Sequence, residues 1–420
     1  MQNADVVVVG GGPGGSTAAT LLARAGHKVV LFEKDVFPRF RIGESMLPMV
    51  REIYERLGVS EAMEASFIRK YGAHFIRGDG SEECLYEFAD ALDCPFGYAF
   101  HVVRSEHDRI LLDNARKAGV EVHEGYQVKD ARFDGARCTG VIAEGADGQL
   151  EVSAKFVVDA SGRWGFLGNR NKLRTPDPVL RKTAAFTHFK GAGRLPGKHD
   201  GSITIATFEG GWFWVIPFKD DVTSVGAVMH NAYFRKYKDV ADGIFAQALR
   251  DCPAVAQRLS HATMMMPVMT EGSFSYRSST FAGEGWVMCG DAASFLDPVF
   301  SSGVLLSMRC AELIAAGVDR GLRTHSFSPA LFRDYEKKMR KGMSVFWRFI
   351  YGFYDTAFLD LFFQPTNRFR LMNTISGVLA GNIYPSFKFK LRLWLFTAIV
   401  GISRAVRRRR GEAVPNQAGA

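Results

Sequence analysis

The sequence predicts an α/β chain with a parallel sheet wound through helices, a second lobe built on an antiparallel sheet, and a helical C-terminal region. Three observations carry this reading. A β-branched run, a glycine-rich turn and an Ala- and Leu-rich stretch open the chain over residues 5–25, and strands buried on both faces of a parallel sheet read as continuous apolar runs. Short strand-like runs fill residues 171–274. From Ser328 onward the pattern is mainly helical and rich in Phe, Leu and Met. At 420 residues the chain exceeds what one core serves, so two or three lobes are expected.

Residues 5–9 predict the first buried strand. Gly10-Gly11-Gly12-Pro13-Gly14-Gly15 follows, residues 16–25 predict a helix closed by Gly26, and residues 28–32 predict a second strand ending at Glu33. This is a Rossmann-like βαβ unit with G-x-G-x-x-G at Gly10, Gly12 and Gly15, and an acid 23 residues beyond the first glycine. Gly10 permits the tight turn, Gly12 lets backbone approach a pyrophosphate, and Gly15 allows close helix–strand packing. The helix N-terminus faces the phosphates and Glu33 accepts from ribose hydroxyls, so a dinucleotide is expected.

Ser105 with Asp108 predicts a capping box for a helix over 106–118, followed by a strand over 120–123. Residues 127–152 alternate in short runs broken by Asp134-Gly135 and Asp147-Gly148, which predicts a β-meander. Residues 155–159 predict another buried strand, ending at Asp159 and leading into Ala160-Ser161-Gly162-Arg163. A helical interval is expected over 231–250. Residues 286–289 return to a buried strand that Gly290-Asp291-Ala292 ends, before a helix over 302–320. The expected division gives 1–80, 100–170 and 275–330 to the nucleotide-binding domain and 81–99 and 171–274 to the β-sheet lobe. Residues 331–420 form a helical region with a basic tail.

The net charge of +9 is concentrated, because Lys388, Lys390, Arg392, Arg404 and Arg407 through Arg410 supply eight cations with no acid among them. The remaining body is close to neutral, which argues against a nucleic-acid groove. Six cysteines show no C-x-x-C pair and no metal-like spacing with histidine, so no metal site is expected and the thiols read as reduced. No signal peptide or 18-residue apolar run is present, and the chain reads as cytoplasmic.

Gly211-Trp212-Phe213-Trp214-Val215-Ile216-Pro217 places two indoles one residue apart on a strand, hence on one face. Such a pair is either a buried aromatic strand face or a stiff apolar wall of a site.

Together, the βαβ unit, Val158-Asp159-Ala160-Ser161-Gly162-Arg163 and Gly290-Asp291-Ala292 resemble the FAD-dependent aromatic hydroxylase and halogenase superfamily over roughly residues 4–330. The resemblance implies FAD held by Gly10, Gly12, Pro13, Gly15, Glu33, Lys34, Arg41, Ser45, Arg104, Asp159, Gly290, Asp291, Pro298, Gly303 and Val304. Within that set, Asp291 would accept from the ribityl hydroxyls and Arg104 would lie along the cofactor. W-x-W-x-I-P resembles the mark of the flavin-dependent halogenases, in which the tryptophan wall keeps organic substrate off the flavin so that halide is oxidised instead. Lys70-Tyr71-Gly72-Ala73-His74-Phe75, after Gly43-Glu44-Ser45, resembles their lysine motif. On that likeness Lys70 receives hypohalous acid, either hydrogen-bonding it or carrying the halogen on its amine. Burial and the neighbouring Arg69 are both expected to lower its pKa, and Glu44, in the preceding Gly43-Glu44-Ser45, is the candidate to relay protons. In Asp297-Pro298-Val299-Phe300-Ser301-Ser302-Gly303-Val304, the backbone N–H groups of Ser302 and Gly303 would hold halide.

Tryptophan halogenases carry a glutamate in this loop where Phe300 stands, and this chain is shorter than they are. The likeness therefore points to the phenolic and carrier-tethered halogenases of antibiotic and other natural-product pathways, as does the less specific Phe362-Phe363-Gln364-Pro365. Implied are reduced FAD, O2, chloride or bromide, a separate NAD(P)H-dependent flavin reductase, and an electron-rich aromatic, phenol or pyrrole, free or on a carrier protein. The alternatives from the same superfamily are an FAD monooxygenase and a geranylgeranyl-reductase-like oxidoreductase; from another class, a non-catalytic membrane-attached flavoprotein. Residues 388–410 keep two readings: a terminal helix packed on the body with a basic end, or a peripheral contact with the inner membrane surface or an acidic carrier protein.

Overall fold

Valine-rich strands form the centre of the first sheet. In the computed structural model, which describes residues 2–240, 242–272 and 275–410, Gln2–Val9 runs parallel between Val29–Glu33 and Gly148–Asp159. Val6, Val7 and Val8 are fully enclosed there. Glu121–Glu124 and Trp286–Met288 extend the sheet, again in parallel. The first helix, Pro13–Arg24, packs so tightly that a Cβ on Gly15 would stand 1.9 Å from the Gly10 carbonyl oxygen. The expected meander forms as two antiparallel hairpins. Its third strand and the expected strand over 155–159 are one 12-residue element, which is a hairpin arm at its start and a core strand at its end.

The second sheet carries the tryptophan strand. Lys182–Lys190, Val222–His230, Gly211–Pro217 and Ile203–Phe208 pair antiparallel in that spatial order. Gly72–Arg77 then joins in parallel and Glu83–Glu87 closes the edge. The division expected from sequence put residues 72–77 with the nucleotide-binding part; their strand pairing joins them to this sheet instead. The expected helical interval continues beyond 250, through Pro253–Arg258. One face of the sheet meets the main core, and the other packs on Gly243–Arg250 through Phe213, Val215 and Phe245.

The helix Gly303–Arg323 lies against Pro13–Arg24, and the chain continues as Arg333–Phe353, Thr356–Phe363, Leu371–Leu379 and Phe387–Arg409. Tyr86 Oη donates to the Phe362 carbonyl at 2.6 Å, and Tyr335 Oη donates to the Met288 carbonyl of the first sheet at 2.7 Å. The C-terminal helices are thereby tied to both sheets. Residues 411–420 of the expected basic tail, and residues 241, 273 and 274 of the expected β-sheet lobe, lie outside the described residues. Among the described residues no helix is long and apolar enough to cross a membrane, and no group of acidic, histidine and cysteine side chains is arranged to hold a metal.

Gly226 sits opposite Trp214 on the neighbouring strand, where a Cβ would stand 2.3 Å from the indole and 2.6 Å from Phe186 Cβ. Gly226→Ala is expected to overpack this point and lower unfolding stability by about 1–3 kcal/mol, read as a drop in thermal midpoint. Gly401→Ala, on an exposed helix with nothing within 4 Å of its Cβ, is expected to be neutral or stabilising.

Candidate active site

The C-terminal ends of the parallel strands open into a cavity of about 670 Å³, where ligands of open α/β sheets bind. Gly10, Gly12 and Pro13 line it at the first turn, with Glu33 and Lys34 at the end of the second strand. Glu33 is fixed at the edge by accepting the Gly11 N–H at 2.7 Å and the Asp35 N–H at 3.0 Å, which leaves lone pairs for hydroxyl donors. Gly290, Asp291, Pro298, Ser302, Gly303 and Val304 line the opposite side. A Cβ on Gly12 would meet only Arg39 Nη2, at 3.8 Å, and one on Gly303 would meet nothing within 4 Å. Backbone at both turns thus faces open space, as close approach of an anion requires. The Asp291 carboxylate accepts no hydrogen bond among the described residues. Enclosure pushes its pKa up to about 6, against the pull of Arg104, Arg163 and Arg174. An unpartnered acceptor over glycine-lined turns fits FAD with its ribityl hydroxyls.

Two expected cofactor residues do not line this cavity. Gly15 acts through packing alone. Asp159 is turned into its own loop, where it accepts the Ser161 N–H at 3.0 Å and the Leu167 N–H at 2.7 Å. Arg41 stands half-exposed at the rim, paired with Asp35 at 2.5 Å. The expected capping box also gives way. The helix is Arg104–Lys117 with no side-chain cap, and Asp108 is fully buried in an ion cluster instead. Arg104 donates to Asp108 at 2.8 and 2.9 Å, Arg39 at 2.9 Å, and His107 Nδ1 lies at 2.9 Å. Burial alone would raise the Asp108 pKa, but Arg104 and His107 hold it well below the usual carboxylate range. Arg104 also donates to the Ile42 carbonyl at 2.9 Å, clamping the segment that delivers Glu44 and Ser45.

Trp212 and Trp214 line the cavity from one strand face, with ring centroids 6.2 Å apart, beside Phe186 and Ile216. Trp214 Nε1 donates to Ser224 Oγ at 3.1 Å. Trp212 Nε1 donates to Tyr354 Oη at 3.0 Å, and Tyr354 donates in turn to Asp297 Oδ2 at 2.8 Å. Asp297 Oδ1 accepts the Val299 N–H at 3.1 Å and so caps the loop that reaches Ser302. The wall and the loop are thus joined by one phenol from the C-terminal helices. Lys182 Nζ lies 4.0 Å from the Tyr354 ring centroid and bonds to His230. Burial pushes Lys182 down to about 8 despite Asp297, and burial with Lys182 pushes His230 down to about 4. Sequence reasoning missed Tyr354, Lys182 and His230. A lysine in the apolar run of Lys182–Lys190 was the one available signal.

Lys70 ends the strand Ile68–Lys70, paired antiparallel with Ala99–His101. It is 2 % exposed. Its Nζ donates to Ser45 Oγ at 2.8 Å and to the Met46 carbonyl at 3.2 Å, and stands 5.2 Å from the Phe88 ring centroid. Burial pushes it down to about 7. The expected help from Arg69 is absent, because Arg69 points to the opposite strand face and pairs with Glu64 at the surface. Lys70 does not line the cavity; Ser45 does, so the serine hydroxyl links the amine to the cavity. Glu44, 3 % exposed, faces His188 Nε2 at 3.1 Å through Oε1 and leaves Oε2 without a partner among the described residues, beside the cavity. His101, near Lys70, is buried with neither ring nitrogen partnered among the described residues, and burial, Lys70 and Arg194 push it far below the usual range. His74 instead bridges Thr204 and Glu83.

In the loop, Ser301 has φ 54° and Ser302 φ −83°, a left-handed then right-handed pair that aims consecutive N–H groups together. Phe300 is buried edge-on against Phe349 and Phe353, at 6.0 and 5.7 Å between centroids, and brings no carboxylate.

A tryptophan halogenase family model matches residues 90–368, and an FAD-dependent oxidoreductase model matches residues 5–164. The 1H-pyrrole-2-carbonyl-(peptidyl-carrier protein) chlorinase of Pseudomonas fluorescens is 33% identical, covering 90% of this chain and 89% of the chlorinase. The tryptophan 2-halogenase of Chondromyces crocatus is 37% identical, covering 83% of this chain and 67% of that protein. The solved structure of the myxobacterial chondrochloren halogenase CndH superposes with a TM-score of 0.79 at 36% identity, covering 84% of this chain and 83% of CndH.

Tyr354→Phe removes the phenol between wall and loop, leaving Trp212 Nε1 and Asp297 Oδ2 buried with one partner fewer. The expected cost is about 1–3 kcal/mol of stability, read as a lower thermal midpoint, together with faster loss of bound FAD on gel filtration.

Proposed function

Because this chain belongs to the flavin-dependent halogenases, we propose that Lys70 delivers the oxidised halogen to an electron-rich aromatic ring, phenol or pyrrole. The chain is an FAD-dependent enzyme of a family that uses halide and O2 as co-substrates. FAD, when bound and reduced, supplies the two-electron activation of O2 that converts halide to hypohalous acid. The N–H groups of Ser302 and Gly303 hold the halide, and Trp212 and Trp214 exclude the organic ring from that side. Hypohalous acid passes Ser45 to the Lys70 amine. There the nitrogen lone pair takes the halogen, an N–H proton joins the departing hydroxide, and water leaves. In the next step the ring carbon takes the halogen from the haloamine. The nitrogen keeps the bonding pair and recovers a proton as the ring loses one. Glu44, with its free Oε2, moves protons at the cavity side. One observation carries this reading: a fully buried amine, 2.8 Å from a serine that lines the cavity behind two tryptophans.

Phe300 leaves its position without a carboxylate base, which favours rings that lose a proton readily after attack. The pyrrole-carrier specificity named for the Pseudomonas relative supports the same class and admits a carrier-tethered substrate. A separate NAD(P)H-dependent flavin reductase completes the proposal.

The test combines the protein with a flavin reductase, NADH, O2 and bromide, and offers a phenol, a carrier-loaded pyrrole and tryptophan. Brominated phenol or pyrrole that falls by about 10²-fold or more in Lys70→Ala, while NADH-driven flavin oxidation continues, is the expected result. The haloamine route needs the neutral amine. Halogenation therefore rises as pH climbs through about 7, where Lys70 loses its proton, and Lys70→Arg does not rescue it. Hydroxylated product without bromination would overturn the proposal, and preferential bromination of tryptophan would overturn its substrate class.

A further inference from the structure

The C-terminal helix Phe387–Arg409 is apolar on two opposite faces. Phe389, Leu393, Phe396 and Val400 are buried against the body. On the other side Phe387 is 80 % exposed, Leu391 56 %, Trp394 66 % and Ile402 64 %. With Ala398 and Ala405 these residues step by three and four, so they form one continuous stripe. From Phe387 to Ala405 it runs roughly 27 Å along the helix axis, at 1.5 Å per residue. Lys390 and Arg408 flank it on one side, and Lys388 and Arg392 on the other. The helix contains no acidic residue, while the rest of the chain is close to neutral.

We propose that this stripe seats the protein on an anionic phospholipid surface, with the helix lying flat in the interface. Exposed apolar side chains of this size, spread over five turns, are unusual on a soluble surface. Here they sit with a tryptophan at mid-stripe and cations along both margins. That is the pattern in which apolar side chains enter the acyl boundary while lysine and arginine reach anionic headgroups. The buried side of the same helix borders a second cavity of about 490 Å³, lined by Phe349, Phe358, Leu393, Phe396 and Val400, with Arg348, Arg408 and the Arg404–Asp355 ion pair (2.8 Å) at its edge. Beyond that pair, Arg348 and Arg408 leave the edge of this apolar volume net positive, which suits the same chemistry, an anionic amphiphile. A folded protein partner accounts for the charge but not for a long, straight apolar stripe edged by cations on both margins.

The test is co-sedimentation of the FAD-loaded full chain with sucrose-filled vesicles of phosphatidylcholine alone or with about 30 % phosphatidylglycerol. Binding to the anionic vesicles, weakened by salt and reduced about tenfold or more in the Leu391→Glu/Trp394→Glu double variant, is expected. Both positions are exposed, so the variant retains its fold and flavin content, checked by thermal melting and flavin absorbance. Absence of binding to anionic vesicles, or equal binding by the double variant, would overturn the proposal. So would a wild-type dimer that the double variant dissociates, which makes the stripe an interface between copies. Capture by an acidic carrier protein without any vesicle binding would overturn it as well.

Discussion

Taking an ammonium group out of water is expensive, and the site is organised around one that has been taken out. Lys70 has one hydroxyl and one carbonyl for company, with an aromatic ring beside it and, among the described residues, no carboxylate paired with it. Desolvation without a counter-ion favours the free amine near neutral pH, the form that is a nucleophile. That condition has to be held by the surrounding structure. The two-stranded ribbon of Ile68–Lys70 and Ala99–His101 fixes where the side chain enters, and the Arg104–Asp108 cluster fixes the segment that carries Ser45 to meet it. The cluster places strong charges next to the cofactor cleft, but spends them on each other and on backbone carbonyls.

The tryptophan wall has the complementary task of dividing the space. Its position is set from both sides: Gly226 leaves room for the Trp214 ring, and Tyr354 holds the Trp212 nitrogen. Tyr354 also reaches Asp297, so a phenol at the end of Arg333–Phe353 joins the wall to the loop proposed to hold halide. The C-terminal helices therefore belong to the site, and their outer face is free for a different contact.

Much of this was legible in the chain because the signals are local. The βαβ unit, Glu33 and the paired indoles lie within short windows where glycine geometry and strand alternation decide the outcome. Alternation also shows why the expectation for Arg69 failed: residues 69 and 70 of one strand point to opposite faces, so adjacency in sequence separated the charges in space. Asp108 fits a capping-box spacing, yet two arginines and a histidine outcompete a single backbone N–H for a buried carboxylate. Asp159 stands where a cofactor contact was expected and is consumed by its own turn. Tyr354 lies 142 residues from Trp212 and had no local mark at all. Where the outer stripe of the last helix would face was equally hidden, since an apolar helix reads the same whichever face packs.

The protonation of Lys70 is the most direct measure of this account. In FAD-loaded protein with isotopically labelled lysine, the Lys70 side-chain resonance is identified by its loss in Lys70→Met and followed by NMR across pH. It is predicted to titrate near 7, apart from Lys182 near 8 and well below an ordinary lysine side chain, about 10.4. A Lys70 midpoint at about 10 or above would mean a solvated ammonium, and would contradict the buried, reactive amine on which the proposed chemistry rests.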